Sequence, residues 1–154
     1  MVTILSIPSI DKIIEKIIEE LILPAKIQVL PGFIFRRSKP AIVGVKVIAG
    51  RIRPKLPIMN SKGASLGVIK SIQSEGKSLT EASAGMEVAV SITKGVVGKN
   101  LDEGDYLYVD IPESIARRIS RDLKLRKMLP PDVLDVFKET VEIKRRLHGF
   151  TWGR

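Results

Sequence analysis

Residues 25–50 read AKIQVLPGFIFRRSKPAIVGVKVIAG, and the period of this stretch decides the fold. Ile27 and Val29 alternate with Lys26 and Gln28, the two-residue repeat of a strand with one buried face. In the run 41–49, Val43, Val45 and Val47 share one face, and Ile42, Gly44, Lys46 and Ile48 share the other. Pro31-Gly32 is a turn signal between the two runs, and Gly50 ends the second. Val and Ile suit a pleated, half-buried surface, so the stretch predicts paired strands.

Working outward, strands are expected at 66–72, 86–92 and 106–110, separated by turn clusters at 74–77, 84–85 and 102–105. Short strands with regular turn signals argue a small closed β-barrel over 25–111. The helical period appears on either side. Upstream, in 1–24, Ile10, Ile13, Ile14, Ile17, Ile18, Leu21 and Ile22 make an apolar stripe on a helix over 9–23, capped by Ser9 and ended by Pro24. That stripe has to bury against the barrel, another domain or a second copy, a homodimer through 10–22. Downstream, 112–154 predicts two helices, Glu113 to Met128 and Asp132 to His148, divided by Pro130-Pro131 and stopped by Gly149. The fold class is mainly β with helices (α+β): one amphipathic helix, a barrel, then two C-terminal helices.

Charge narrows the function. The 154-residue chain has a net charge of +9 and a pI near 9.9. From Leu21 to Ser74 it carries ten Lys/Arg and no Asp or Glu. Cations held on strands without opposing carboxylates suit a phosphate backbone. The candidate RNA-binding residues are Arg36, Arg37, Lys39, Arg51, Arg53, Lys55 and Lys99. In Phe33-Ile34-Phe35-Arg36-Arg37, a barrel's need for large apolar fillers favours both rings as core. Exposed, they would stack on bases.

Other chemistry has little support. There is no cysteine and one histidine, so thiolate and histidine-based metal sites are not expected, and a reducing interior is. Gly76-Lys77-Ser78 lacks the first glycine of a P-loop, with Ser71 standing in its place. Asp102, Glu103 and Asp105 suit an acidic hairpin turn better than a calcium loop. His148, at a helix end, suits a dipole partner. No catalytic or metal residue is expected, no enzyme activity and no membrane span; no signal peptide is evident, and the location expected is cytoplasmic.

The runs FIFRRSKPAIVGVKVIAGRIRPKLPIM, GVIKSIQSEGKSLTEASAGMEVAVSI, VVGKNLDEGDYLYVDIPES and IKRRLHGFTWGR follow one another in order over 25–154. Together they resemble the C-terminal end of archaeal and eukaryotic translation initiation factor five-B, the counterpart of bacterial initiation factor two. Residues 1–24 resemble, more loosely, the linker helix before its last domain. The resemblance implies a β-barrel like domain two of translational GTPases, followed by two helices. It implies binding of the aminoacylated 3′ end of initiator methionyl-tRNA on the ribosome during subunit joining. It implies that the C-terminal helices receive initiation factor one-A, through a surface drawn from Leu134, Phe137, Val141, Leu147, Phe150 and Trp152. No cofactor is expected in this chain, since GTP and Mg belong to a GTPase domain outside it. Two positions depart from the family: Lys55 replaces a common Gly after Arg53-Pro54, and Lys99 replaces a frequent Arg, losing its two-pronged hydrogen bonding. The alternative is a generic RNA-binding or ribosome-associated barrel indifferent to aminoacylation.

Overall fold

The computed structural model describes residues 22–154. The expected helix over 9–23 and the dimer contact through 10–22 lie outside that description except at Ile22 and Leu23, which are not helical and pack against the core of this chain. The strands are β1 (Lys26–Arg36), β2 (Ala41–Ala49), β3 (Arg51–Ile52), β4 (Pro57–Asn60), β5 (Ser65–Ser74), β6 (Lys77–Leu79), β7 (Ala82–Ser83), β8 (Glu87–Ile92) and β9 (Tyr106–Val109). The helices are α1 (Glu113–Arg121), α2 (Leu123–Met128) and α3 (Pro131–His148).

The sheet closes on itself. The order β4-β9-β1-β2-β8-β5 is antiparallel throughout, and β5 pairs back with β4, making a six-stranded barrel without open edges among these strands. β6 extends β5 as a hairpin through Glu75 and Gly76, both at positive φ, so Gly76-Lys77-Ser78 lies on a strand–turn–strand unit. Val43, Val45 and Val47 all point into the barrel and are fully buried, as their alternation predicts.

β1 departs from expectation. Pro31-Gly32 does not turn the chain; one strand runs through it from Lys26 to Arg36. Against β2, the pair Val29↔Val45 is followed by Ile34↔Val43, five steps on β1 against two on β2. The excess of three is odd, and an odd excess exchanges the inward and outward faces of a strand. Ile34 therefore packs on the core, while Phe33 and Phe35, favoured as core for a barrel's need of large apolar fillers, point outward.

The helical part also differs. The single helix expected over Glu113–Met128 is two, broken at Asp122 (φ −92°, ψ 98°). An Asp oxygen competes with the helix for backbone N–H groups. Here the Asp122 carboxylate accepts from Leu125 N at 3.1 Å and caps α2, while Arg126 donates to the carbonyls of Ile119 and Ser120 at the end of α1.

The core is continuous from barrel to helices. Ile58, Leu107 and Val109 belong to the same buried cluster as Ala116, Ile119, Val133, Phe137 and Trp152. Three polar contacts fasten α3 to the barrel along its length. The Asp132 carboxylate accepts from Gly50 N, Glu139 pairs with Lys26 at 2.8 Å, and Lys144 forms a buried ion pair with Asp110. Around Glu139, the Tyr108 hydroxyl donates at 3.2 Å and the Lys26 ammonium lies 4.4 Å from the Tyr106 ring centroid. Burial pushes the Lys26 pKa down, but the Glu139 hydrogen bond and the charges nearby outweigh it, and the net shift is upward. Burial and the Glu139 charge also push Tyr108 up. Both groups are thus held protonated in the fold. Their contribution is complete below the ordinary values of 10.0 for Tyr108 and 10.5 for Lys26, and is lost as pH rises through the higher folded values. Thermal melts should stay level through neutral pH and fall steeply above about pH 10, and Lys26→Met with Tyr108→Phe should flatten that alkaline fall.

Lys55 settles the turn type left open by its replacing Gly. It takes φ 76°, the third position of a type II turn, with its N–H donating to Ile69 O at 2.7 Å. The barrel imposes a left-handed conformation that a lysine resists. Lys55→Gly should raise stability by about 0.5–1 kcal/mol, read as an upward shift in denaturation midpoint.

Candidate nucleic-acid interface

The expected cations do not form one array. Arg36 pairs with Ile42 at one end of β2, whereas Lys26 pairs with Ala49 at the other, directly before Gly50 and Arg51. Nine residues of β2 separate these ends by roughly 27 Å at strand rise. Arg36, Arg37, Lys39 and Lys99 gather at the first end, and Arg51 and Arg53 lie at the second. Lys55 follows in the type II turn. The acid-free run is also partly neutralised through space. Lys26 meets Glu139, Arg51 meets Glu81 at 3.3 Å, and Lys46 stands across from Glu87.

Backbone pairing assembles the first end. Val97 N donates to Arg37 O at 2.8 Å, the Arg37 guanidinium reaches Val97 O at 3.4 Å, and Ser38 bridges Val96. These contacts bring the turn carrying Lys99 against Arg37, 62 positions earlier in the chain. Asn100 fixes the turn: its side chain accepts from Val96 N and donates to Lys94 O, and its carbonyl accepts from Asn60. Arg36 Nε donates to Ser38 O. Among the described residues, Arg36, Arg37, Lys39 and Lys99 have no carboxylate partner within ion-pair distance, and all four are exposed. Lys94, exposed on the same connection, joins them and was not among the expected residues.

The aromatic pair stands beside this cluster. Phe33 is 52% and Phe35 63% exposed, with ring centroids 6.4 Å apart in an edge-to-face arrangement. Phe33 rests on the outer face of β2 at Gly44. A Cβ there would lie 2.7 Å from the Phe33 Cβ, so only glycine lets the ring sit down on the strand. The result is an exposed hydrophobic ledge beside the guanidinium groups of Arg36 and Arg37. Its other border is acidic, since Glu103 accepts a hydrogen bond from Gly32 N. Asp102 and Asp105 spend their carboxylates on backbone N–H groups of the same turn, which is acidic as expected but is not a hairpin, since the β9 strand it leads into pairs with β1 and β4.

The apolar set assigned to a protein partner is divided. Phe137, Val141 and Trp152 are core residues, and Leu134 is half-buried against them. Trp152 lies under the Lys144 ammonium, with its carbonyl held by Arg145. Helical period marks a face as apolar without saying whether this chain or another covers it. Leu147, 54% exposed, and Phe150, 71% exposed, remain on the surface. Among the described residues no cluster of His, Asp or Glu could hold a metal ion, and no helix is long and apolar enough to cross a membrane.

The family described as elongation factor Tu domain 4 matches residues 23–108, more than half of the chain, and the chain belongs to that family. Within it, the chain corresponds to the C-terminal domain of archaeal IF-2/aIF5B, and not to the GTPase domain. It is 48% identical over 135 residues to a probable translation initiation factor IF-2 of Methanopyrus kandleri, covering 88% of this chain and 22% of that protein. A probable IF-2 of Hyperthermus butylicus is also 48% identical, over 85% of this chain and 21% of that protein. The crystal structure of GDP-bound aIF5B from Aeropyrum pernix superposes with a TM-score of 0.82 at 44% identity, over 90% of this chain and 23% of that one. The chain thus spans about a fifth of the length of the curated relatives it matches.

Proposed function

We propose that this domain binds the aminoacylated 3′ end of initiator methionyl-tRNA in translation initiation, on the ribosome and in the cytoplasm, while the subunits join. It works by binding, and GTP with Mg belongs to the remainder of the factor. The observation that carries this reading is the exposed Phe33–Phe35 ledge beside Arg36, Arg37, Lys39 and Lys99. Unpaired bases stack on aromatic faces while cations hold the backbone, the combination single-stranded RNA ends require. In the same reading, initiation factor one-A docks on the C-terminal helices, with Leu147 and Phe150 as the exposed anchors.

The test is an equilibrium titration of the chain with methionyl-initiator tRNA and with the same tRNA uncharged. The charged form should bind at least several-fold more tightly at every salt concentration. Equal affinity throughout would leave the alternative, an RNA-binding barrel without tRNA preference.

A further inference from the structure

We propose that the outer face of α1 and α2 is a second RNA-binding surface, shaped for the phosphates of a helical RNA rather than for a single-stranded end. Over 117–128 there are six cations, Arg117, Arg118, Arg121, Lys124, Arg126 and Lys127, and one acid, Asp122. The fold commits that acid to capping α2. Ala116, Ile119 and Leu125 take the buried side, so Ser114, Arg117, Arg118 and Arg121, at i, i+3, i+4 and i+7, form an outward row. Two of the cations are structural. Arg117 binds Glu113 at 2.7 Å and the Arg154 carbonyl, and Arg126 ties the end of α1. Arg118, Arg121 and Lys127 are exposed, with no carboxylate partner among the described residues.

The surface around them is a groove of about 830 Å³ lined by Ser114, Arg117, Arg118, Arg121, Leu123 and Lys124, together with the capping Asp122. It contains no aromatic side chain, in contrast to the Phe33–Phe35 ledge, so it offers nothing for an unpaired base to stack on. Leu123 is its only apolar lining, too little to anchor a peptide helix, which needs several apolar contacts one turn apart. Rigid guanidinium groups on helices with a hydroxyl among them suit duplex RNA, which is recognised by shape through phosphate and 2′-hydroxyl contacts. The end of α2, Met128 to Pro130, borders a second groove of about 790 Å³ whose other wall carries Arg51 and Arg53. Arg51 is paired there with Glu81 and Asp132 is committed to Gly50 N, so of these two cations Arg53 alone extends the face without a carboxylate partner among the described residues. The inference stands apart from the tRNA reading.

The experiment compares the chain with its Arg118→Gln/Arg121→Gln/Lys127→Gln variant, binding a labelled RNA hairpin of about two helical turns and a single-stranded RNA ending in CCA. Gln removes the charge, stays polar and has a helix propensity close to that of Arg and Lys, so the variant should melt like the parent. Hairpin affinity should fall at least tenfold, and its log–log salt dependence should become shallower by about 2–3 units, one per lost phosphate contact. The single-stranded probe should change less than twofold. An unchanged hairpin affinity in a folded variant overturns the proposal. An equal loss for both probes does too, because it reduces the effect to net charge. So does displacement of nothing but an acidic peptide, which assigns the face to a protein.

Discussion

Asp110→Ala is expected to lower the unfolding free energy by about 3 kcal/mol, among the largest effects of any polar substitution in this fold. Asp110, directly after β9, meets the Lys144 ammonium toward the C-terminal end of α3, where both side chains are largely removed from water. Trp152 covers the ammonium, with its ring centroid 5.9 Å away. Removing the acid strands a cation where water cannot fully reach it, and that penalty, more than the lost attraction, sets the magnitude. Asp110→Ala with Lys144→Met should recover much of the loss, because the desolvation cost disappears with the second charge. Urea unfolding of the two single variants and the double variant measures this directly. Trp152 is the only tryptophan of the chain, so its fluorescence reports on the site itself. A single Asp110→Ala variant as stable as the parent would mean that this ion pair contributes nothing to holding α3 on the barrel.

Arg36→Ala, Arg37→Ala, Lys39→Ala and Lys99→Ala together are expected to weaken binding of charged initiator tRNA by about two orders of magnitude near 0.1 M salt. Each single-stranded phosphate contact contributes a salt slope of about −0.7, so four contacts should flatten the slope by about 3 units. The melting temperature should hardly move, because these exposed charges have no ion-pair partners to lose. Phe33→Ala with Phe35→Ala should lower affinity while leaving the slope intact, since stacking releases no counterions. Filter binding across a salt series separates the two effects. If the fourfold variant kept parental affinity and slope, the rim would not be the RNA contact.

Much of the barrel was legible because its signals are local. Alternation along 41–49 places the valines inward whatever the strand pairs with, and Pro, Gly and Asp clusters mark chain reversals by their own φ preferences. The orientation of Phe33 and Phe35 was not legible. It depends on three extra residues of β1 relative to β2, a quantity that exists only once the strands are in register. The break at Asp122 was within reach of the sequence, since an Asp three residues before Leu125 N is a cap signal inside a helical period.

The sequence alone determined the alternation of apolar and polar residues, the surplus of positive charge and the absence of thiolate chemistry, because each is fixed by residue type and spacing along the chain. Tertiary structure decided which cations stand together. Barrel closure sends Arg51 to the end opposite Arg36 and draws Lys99 in from another loop, and through-space pairing gives Arg51 the carboxylate of Glu81. Electrostatics depends on distance in space, and the chain specifies that distance only by folding.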